Sequence, residues 1–322
     1  MVKIVLLDGY KLNNDLNWNE LHTLGDFHYY DYTVSINDDE IINRIGNAEI
    51  VITHKTPINN YVITRSTNLK YIGIMGTGYD MFDIKSAFNH DIVVTNVPTY
   101  ASDAVAQFTF SLLLEVVSQV GLHNQLVHQK RWSQGPDFTF WDKPLFELKG
   151  KTLGIIGYGR IAQKVAKIGH AFEMNVVFYN HRPKEIKETW LKQVSLDELL
   201  TISDVVSLHI IQTPQTINLI NKKNLSKMKQ SAILINTSRG KLINEVDVAD
   251  ALNHDKLYAL ATDVASKEPI LNTNPILEAK NVFITPHIAW APFETRKRLL
   301  EITISNLKSY LNGEVINAIN KI

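Results

Sequence analysis

The stretch TLGIIGYGRIAQKVAKIG, residues 152–169, constrains this chain more than any other. An apolar strand runs into Gly157-x-Gly159-x-x-Ala162, and a helix follows with Ile161, Val165 and Ile168 along one side. Glycine suits the first position because the turn is tight, and the second because a side chain would block a pyrophosphate. Ala162 satisfies the third position, which need only be small where helix packs on strand. The amides of Arg160 and Ile161, opening the helix, then face the phosphates. With strand, turn and helix in register, the stretch predicts a dinucleotide-binding βαβ unit.

The rest of the chain repeats the same grammar. Short β-branched runs alternate with helical periods: KIVLLD (3–8), EIVIT (49–53), YIGIM (71–75), IVVTNV (92–97), VVFY (176–179), VVSLHI (205–210), AILINTS (232–238), ALATDV (259–264) and VFITPH (282–287). Nearly all are continuous apolar runs, as expected for parallel sheets covered on both faces. At 322 residues and 45% hydrophobic, the chain has core enough for two domains.

Several function classes drop out on composition. Thirty-three basic residues balance 33 acidic ones, which argues against coating nucleic acid or an anionic membrane. The absence of cysteine excludes disulfides, zinc–thiolate and iron–sulfur sites and a thiol nucleophile, and fits a reducing cytoplasm. No His/Asp/Glu cluster has metal-ligand spacing. The N-terminal apolar run ends at Asp8, too short for a signal peptide, and FTFSLLLEVVSQVGL is interrupted by Glu115 and Gln119 before membrane-spanning length.

The strand VVFY ends in a tip, Asn180-His181-Arg182, where an acid ordinarily meets the adenosine ribose. Asn180 can still bond a ribose hydroxyl, and the planar fork of Arg182 can pair with a 2′-phosphate. The tip therefore weighs toward NADP(H) over NAD(H), although a neutral tip admits both. The alternative is an exposed basic turn that touches nothing.

A long helix is expected over 101–120, with Ser102 or Asp103 as cap and Val105, Phe108, Leu112 and Val116 at helical spacing. The aromatic stretch RWSQGPDFTFWDKPLFELKG follows without periodicity, a length of loop that tends to be functional or to embrace a neighbour. Three further strands end in polar residues: NTSRGKLINE carries Arg239, TDVASKEP carries Asp263 and Glu268, and TPHIAWAP carries His287. Strand carboxyl ends line the ligand crevice of an open α/β sheet, so these residues can converge.

Taken together, YIGIMGTGYDMFD, VTNVPTYASDAVAQFTFSLLLE, PDFTFWDKPL, KTLGIIGYGRIAQ, NTSRGKLINE and PHIAWAP resemble the D-isomer-specific 2-hydroxyacid dehydrogenase family, nearest its glycerate dehydrogenase/hydroxypyruvate (glyoxylate) reductase branch. The resemblance covers essentially the whole chain. It implies an α/β fold of two doubly wound parallel-sheet domains with the active site in the cleft. A flavodoxin-like substrate domain is expected over 1–100 plus 291–322, and a Rossmann-type NAD(P) domain over 101–290. By resemblance, Arg239, Glu268 and His287 are catalytic, and Gly76, Thr77 and Gly78 hold a substrate carboxylate through main-chain N–H groups. Asp263 contacts the nicotinamide amide, and Thr237 joins Gly157, Gly159, Arg160, Ile161, Asn180, His181, Arg182 and Asp263 in the cofactor set. The implied partners are a small 2-keto or 2-hydroxy acid and a second copy of the chain, with Phe138, Phe140 and Trp141 as candidate dimer arm.

The implied chemistry is hydride transfer to a keto carbon. His287 is suited to protonate the oxygen, Glu268 to favour the imidazolium, and Arg239 to bridge carboxylate and carbonyl. Three stretches depart from the family pattern: SLHIIQTPQT lacks a common proline, VASKEP replaces VFEQEP, and HIAW replaces HIGS, so that Trp290 is expected to narrow the substrate side. The alternatives are a formate/phosphite-type dehydrogenase, a phosphoglycerate dehydrogenase, and a nicotinamide-sensing corepressor on the same scaffold.

Overall fold

The computed structural model describes residues 1–9, 15–33 and 37–320. Two compact units emerge: Met1–Ala101 with Ala291–Ile322, and Ser102–Trp290. Ala101 thus goes with the first unit, one residue beyond the expected join.

The first unit holds β1 (Lys3–Leu6), β2 (Asp26–Tyr29), β3 (Ile50–Thr53), β4 (Tyr71–Ile74) and β5 (Val93–Thr95), all parallel in the order β2-β1-β3-β4-β5. That is the flavodoxin-type order. One face of this sheet, including Val5, Val51, Ile72 and Val94, packs on Ile41, Ile45 and Val62 of the crossover helices. Two of these helices start on Asn37 and Asn59, whose side chains accept from the third amide beyond. The helix Phe293–Leu311 lies in this unit, with Tyr310 against Tyr71 at 4.6 Å and the Asn306 amide donating to the Asn96 carbonyl.

The second unit holds β6 (Thr152–Ile156), β7 (Asn175–Tyr179), β8 (Leu191–Gln193), β9 (Val205–Leu208), β10 (Ile233–Asn236), β11 (Ala259–Thr262) and β12 (Val282–Ile284), in the order β12-β11-β10-β9-β6-β7-β8. All its pairings are parallel. In chain order this is the doubly wound dinucleotide-binding arrangement, its strand order reversing beside β6. Successive residues of β6 explain the continuous apolar runs. Ile155 packs with Phe110, Val116 and Phe178 on one face, while Ile156 packs with Leu199, Leu234 and Leu260 on the other.

Two strands, β2 and β8, are absent from the sequence reading. Both are edge strands of three or four residues, with polar residues in DFHY and LKQ, so they carry no apolar run. The expected helix over 101–120 also changes. It spans Ser102–Ser118, so Ser102 and Asp103 lie in its first turn rather than capping it, and Asp103 instead pairs with Lys164 at 2.5 Å. Gln119 breaks the helix in the left-handed region, φ +51, and a second helix, Val120–His128, leaves at 59° with no residue buried. The aromatic stretch beyond it is largely exposed, Phe138 by 84% and Trp141 by 64%. Phe140 is half-buried beneath the Arg131 guanidinium. Among the described residues no single helix is long and apolar enough to cross a membrane, and no group of His, Asp and Glu could hold a metal.

Candidate active site

The carboxyl ends of β6, β7 and β9 build a cradle. Gly157 follows β6 at φ +92, and a Cβ there would sit 2.4 Å from the His209 carbonyl oxygen beyond β9, so glycine is obligatory. Gly159 differs: a Cβ on it would meet nothing within 4 Å. It precedes the helix Arg160–Ala171, whose first turn no side chain caps. Opening amides without a side-chain cap, facing space that a Cβ would enter, fit a pyrophosphate. Arg160 is exposed and Ile161 half-buried at this end, while Ala162 is buried against the sheet.

The tip beyond β7 is moulded by β8. Gln193 donates from Nε2 to the carbonyls of Asn180 and Arg182 at 3.0 and 3.2 Å, and accepts from the Lys184 amide at 2.9 Å. Asn180 donates from Nδ2 to the Arg182 carbonyl at 2.8 Å, which leaves Oδ1 as its acceptor. His181 and Arg182 are exposed. Gln193 gave no signal in the sequence, being one polar residue of a three-residue edge strand.

Arg239, Glu268 and His287 follow the ends of three adjacent strands, β10, β11 and β12, in register through Asn236, Thr262 and Ile284. The Arg239 carbonyl is held by the Asn236 amide at 2.9 Å, and its guanidinium donates to the Ser238 carbonyl at 2.9 Å. His287 Nδ1 meets Glu268 Oε2 at 2.6 Å, and Glu268 Oε1 accepts from the Ala265 amide at 3.2 Å. A carboxylate on Nδ1 fixes that nitrogen as donor and turns Nε2 outward as the exchangeable site. Thr237, between these groups and the cradle, has its hydroxyl 3.1 Å from that of Thr109.

Asp263, which the resemblance assigns to the nicotinamide amide, follows the end of β11. It is 1% exposed, and its carboxylate accepts from Thr285 Oγ1 at 2.6 Å and from the amides of Ile288 and Ala289 at 2.9 and 2.8 Å. These bonds clamp the turn carrying His287, which sits at φ +56. A non-glycine residue there costs roughly 1–2 kcal/mol, and hydrogen bonds to a charged group contribute roughly 1.5–3 kcal/mol each, so the clamp outweighs the strain. Burial pushes the Asp263 carboxyl above the usual carboxylate range, against the pull of those donors and of His287. Trp290 packs back on the same turn, its indole N–H donating to the His287 carbonyl at 2.9 Å.

His209 was not singled out in the sequence, although a histidine near the end of the apolar run VVSLHI was a signal. Its Nε2 lies 2.8 Å from Ser207 Oγ, and burial pushes its imidazole down to about 4. It is therefore neutral near pH 7 and supplies no proton.

In the first unit, the turn after β4 carries Gly76, Thr77 and Gly78. The Gly76 amide donates to the Ile74 carbonyl at 2.9 Å. The Thr77 hydroxyl and carbonyl are tied to Val97 and Asn96, so the turn is rigid.

Residues 110–289 match the family model described as the D-isomer specific 2-hydroxyacid dehydrogenase NAD-binding domain. The hydroxypyruvate reductase of Blautia hydrogenotrophica is 47% identical over 99% of this chain and 100% of its own length. The glycerate dehydrogenase of Methylorubrum extorquens is 32% identical over 90% of this chain and 91% of its own. Among solved structures, an acyclic imino acid reductase in complex with NADPH and D-Arg superposes with a TM-score of 0.87 at 33% identity, covering 99% of this chain and 100% of that one.

Proposed function

The chain belongs to the D-isomer-specific 2-hydroxyacid dehydrogenase family, and on that premise we propose that it reduces a small 2-keto acid of the glyoxylate/hydroxypyruvate class to its D-2-hydroxy acid. As a member it is a nicotinamide-dependent oxidoreductase acting on CH–OH groups. The observation that carries the substrate chemistry is the 2.6 Å pair of Glu268 and His287, which follow β11 and β12, the two strands beside the one that Arg239 follows. It combines a proton donor with a carboxylate anchor.

When bound, the nicotinamide supplies the hydride. His287 gives its Nε2 proton to the carbonyl oxygen as charge develops there, and takes it back in the reverse direction. Glu268 accepts the Nδ1 proton's hydrogen bond, keeps the ring oriented and stabilises the imidazolium before transfer. Arg239 pairs its planar fork with the substrate carboxylate and fixes the keto carbon. The turn at Gly76, Thr77 and Gly78 is a further carboxylate-binding element. Gly157, Gly159, Arg160 and Ile161 take the pyrophosphate, with Thr237 nearby.

NADP(H) is preferred over NAD(H) in this reading. Asn180 Oδ1 accepts from a ribose hydroxyl, and exposed His181 and Arg182 offer positive charge to a 2′-phosphate. Exposed Phe138 and Trp141 support a homodimer, and the cysteine-free composition supports a cytoplasmic setting.

The test is loss of nicotinamide absorbance with purified protein, NADPH or NADH, and glyoxylate, hydroxypyruvate, pyruvate, 2-ketogluconate and branched keto acids. Turnover is expected to be fastest on the two smallest polar substrates. His287→Ala is expected to lower kcat by about 10²–10⁴-fold with cofactor affinity nearly unchanged. Bound cofactor without turnover on any keto acid refutes the reading.

A further inference from the structure

Glu245 shares the stretch NTSRGKLINE with Arg239 but has no part in binding or proton transfer as derived above. It is the first residue of the helix Glu245–Asn253, 9% exposed. Helix capping is done by its neighbour Asn244, which accepts from the amides of Val246 and Asp247, so Glu245 is not needed for that. Its carboxylate turns instead to the segment between β11 and β12. Oε1 accepts from the Ser266 amide at 2.8 Å, and Oε2 accepts from Asn274 Nδ2 at 2.9 Å and from the Ser266 hydroxyl.

Ser266 lies in the turn that presents Glu268. The same turn donates the Ala265 amide to Glu268 Oε1, while Glu268 Oε2 holds His287. The chain after Arg239 also presses directly on it. A Cβ on Gly240 would fall 1.9 Å from the Ala265 carbonyl carbon and 2.3 Å from the Ser266 nitrogen. The turn is therefore seated on Gly240 and drawn down by Glu245. A buried carboxylate with three donors is costly to leave unpaired, which makes this seat stiff.

We propose that Glu245 is a positioning residue: by anchoring Ser266 and Asn274 it sets where Glu268 meets His287, and it keeps that pair in register with Arg239. The inference rests on the roles given above to Arg239, Glu268 and His287. Gln at position 245 keeps the size of the side chain but offers one acceptor oxygen where the turn needs two.

The experiment uses the full chain as wild type, Glu245→Gln, Ser266→Ala, Glu268→Gln, and both double variants with Glu268→Gln. Kinetics with the best keto acid are read beside ¹⁵N spectra of the His287 ring recorded without substrate. Glu245→Gln is expected to lower kcat by about tenfold or more, with KM and cofactor Kd within about threefold, since small misplacements of a reacting group cost that much. In the Glu268→Gln background the further loss is expected to be under about twofold, because the group being positioned is already gone. The His287 ring signals are expected to move in Glu245→Gln toward their Glu268→Gln positions. Ser266→Ala, which removes only the hydroxyl link, is expected to give the same pattern in smaller measure, and it decides the matter if Glu245→Gln does not fold. Equal losses with and without Glu268, or unmoved His287 signals in a folded variant, overturn the proposal. If wild type reduces no keto acid, the functional reading fails while the ring spectra still judge the positioning role.

Discussion

Acidification from pH 7 to pH 5 is expected to weaken the second unit through His209. Its imidazole is half-buried beside Ser207 and held down to about 4, against an ordinary value of 6.5. Above 6.5 the ring is neutral in folded and unfolded chains alike, and the stability is fully present. Below 6.5 the unfolded chain takes up a proton that the folded chain refuses, so stability falls until the pH reaches about 4. The gap between the two values amounts to about 3 kcal/mol in all, of which about 2 kcal/mol is lost by pH 5. For a unit of this size that corresponds to a fall in Tm of roughly 4–8 °C. The assay is thermal unfolding followed by circular dichroism at pH 7 and pH 5, for wild type and for His209→Gln, which retains a polar partner for Ser207. Wild type is expected to lose those degrees over and above the loss in His209→Gln. Parallel losses, or a His209 ring that titrates above pH 5.5 by NMR, refute the reasoning.

The two glycines of the cradle are expected to fail differently. Gly157→Ala drives a Cβ into the His209 carbonyl at φ +92 and costs roughly 1–3 kcal/mol of stability, read as a lower Tm. Gly159→Ala meets no protein atom, so Tm holds while cofactor Kd, read by fluorescence titration, weakens by about tenfold or more. An unchanged Kd in Gly159→Ala removes the pyrophosphate from that end of the helix. Arg182→Ala is expected to lower kcat/KM for NADPH by about tenfold relative to NADH, the worth of one exposed charge-assisted contact. An unmoved ratio makes Arg182 a solvated charge.

What could be read without coordinates was whatever announces itself locally. Ten strands were visible because each is a largely apolar run, and the dinucleotide turn because Gly157, Gly159 and Ala162 lie within six residues of one another. The edge strands β2 and β8 were not, since polar residues interrupt DFHY and LKQ and leave no apolar run. Nor was the break at Gln119, where one residue in the left-handed region redirects a helix whose periodicity continues past it. Arg239, Glu268 and His287 stood out at strand ends, but their roles were named through resemblance; nothing in their spacing says that they meet.

The sequence by itself determined the vocabulary of this protein: its apolar strands, its dinucleotide turn, and which titratable groups stand at strand ends. Those follow from steric and hydrophobic preferences acting over a few residues. The tertiary structure alone decided which of those groups work together. The order β12-β11-β10 brings the loops of Arg239, Glu268 and His287 side by side. It makes Asp263 a clamp on the His287 turn, and it joins Glu245 to Ser266. Strand order is set by long-range pairing and by burial of both sheet faces at once, and no short window of residues encodes that choice.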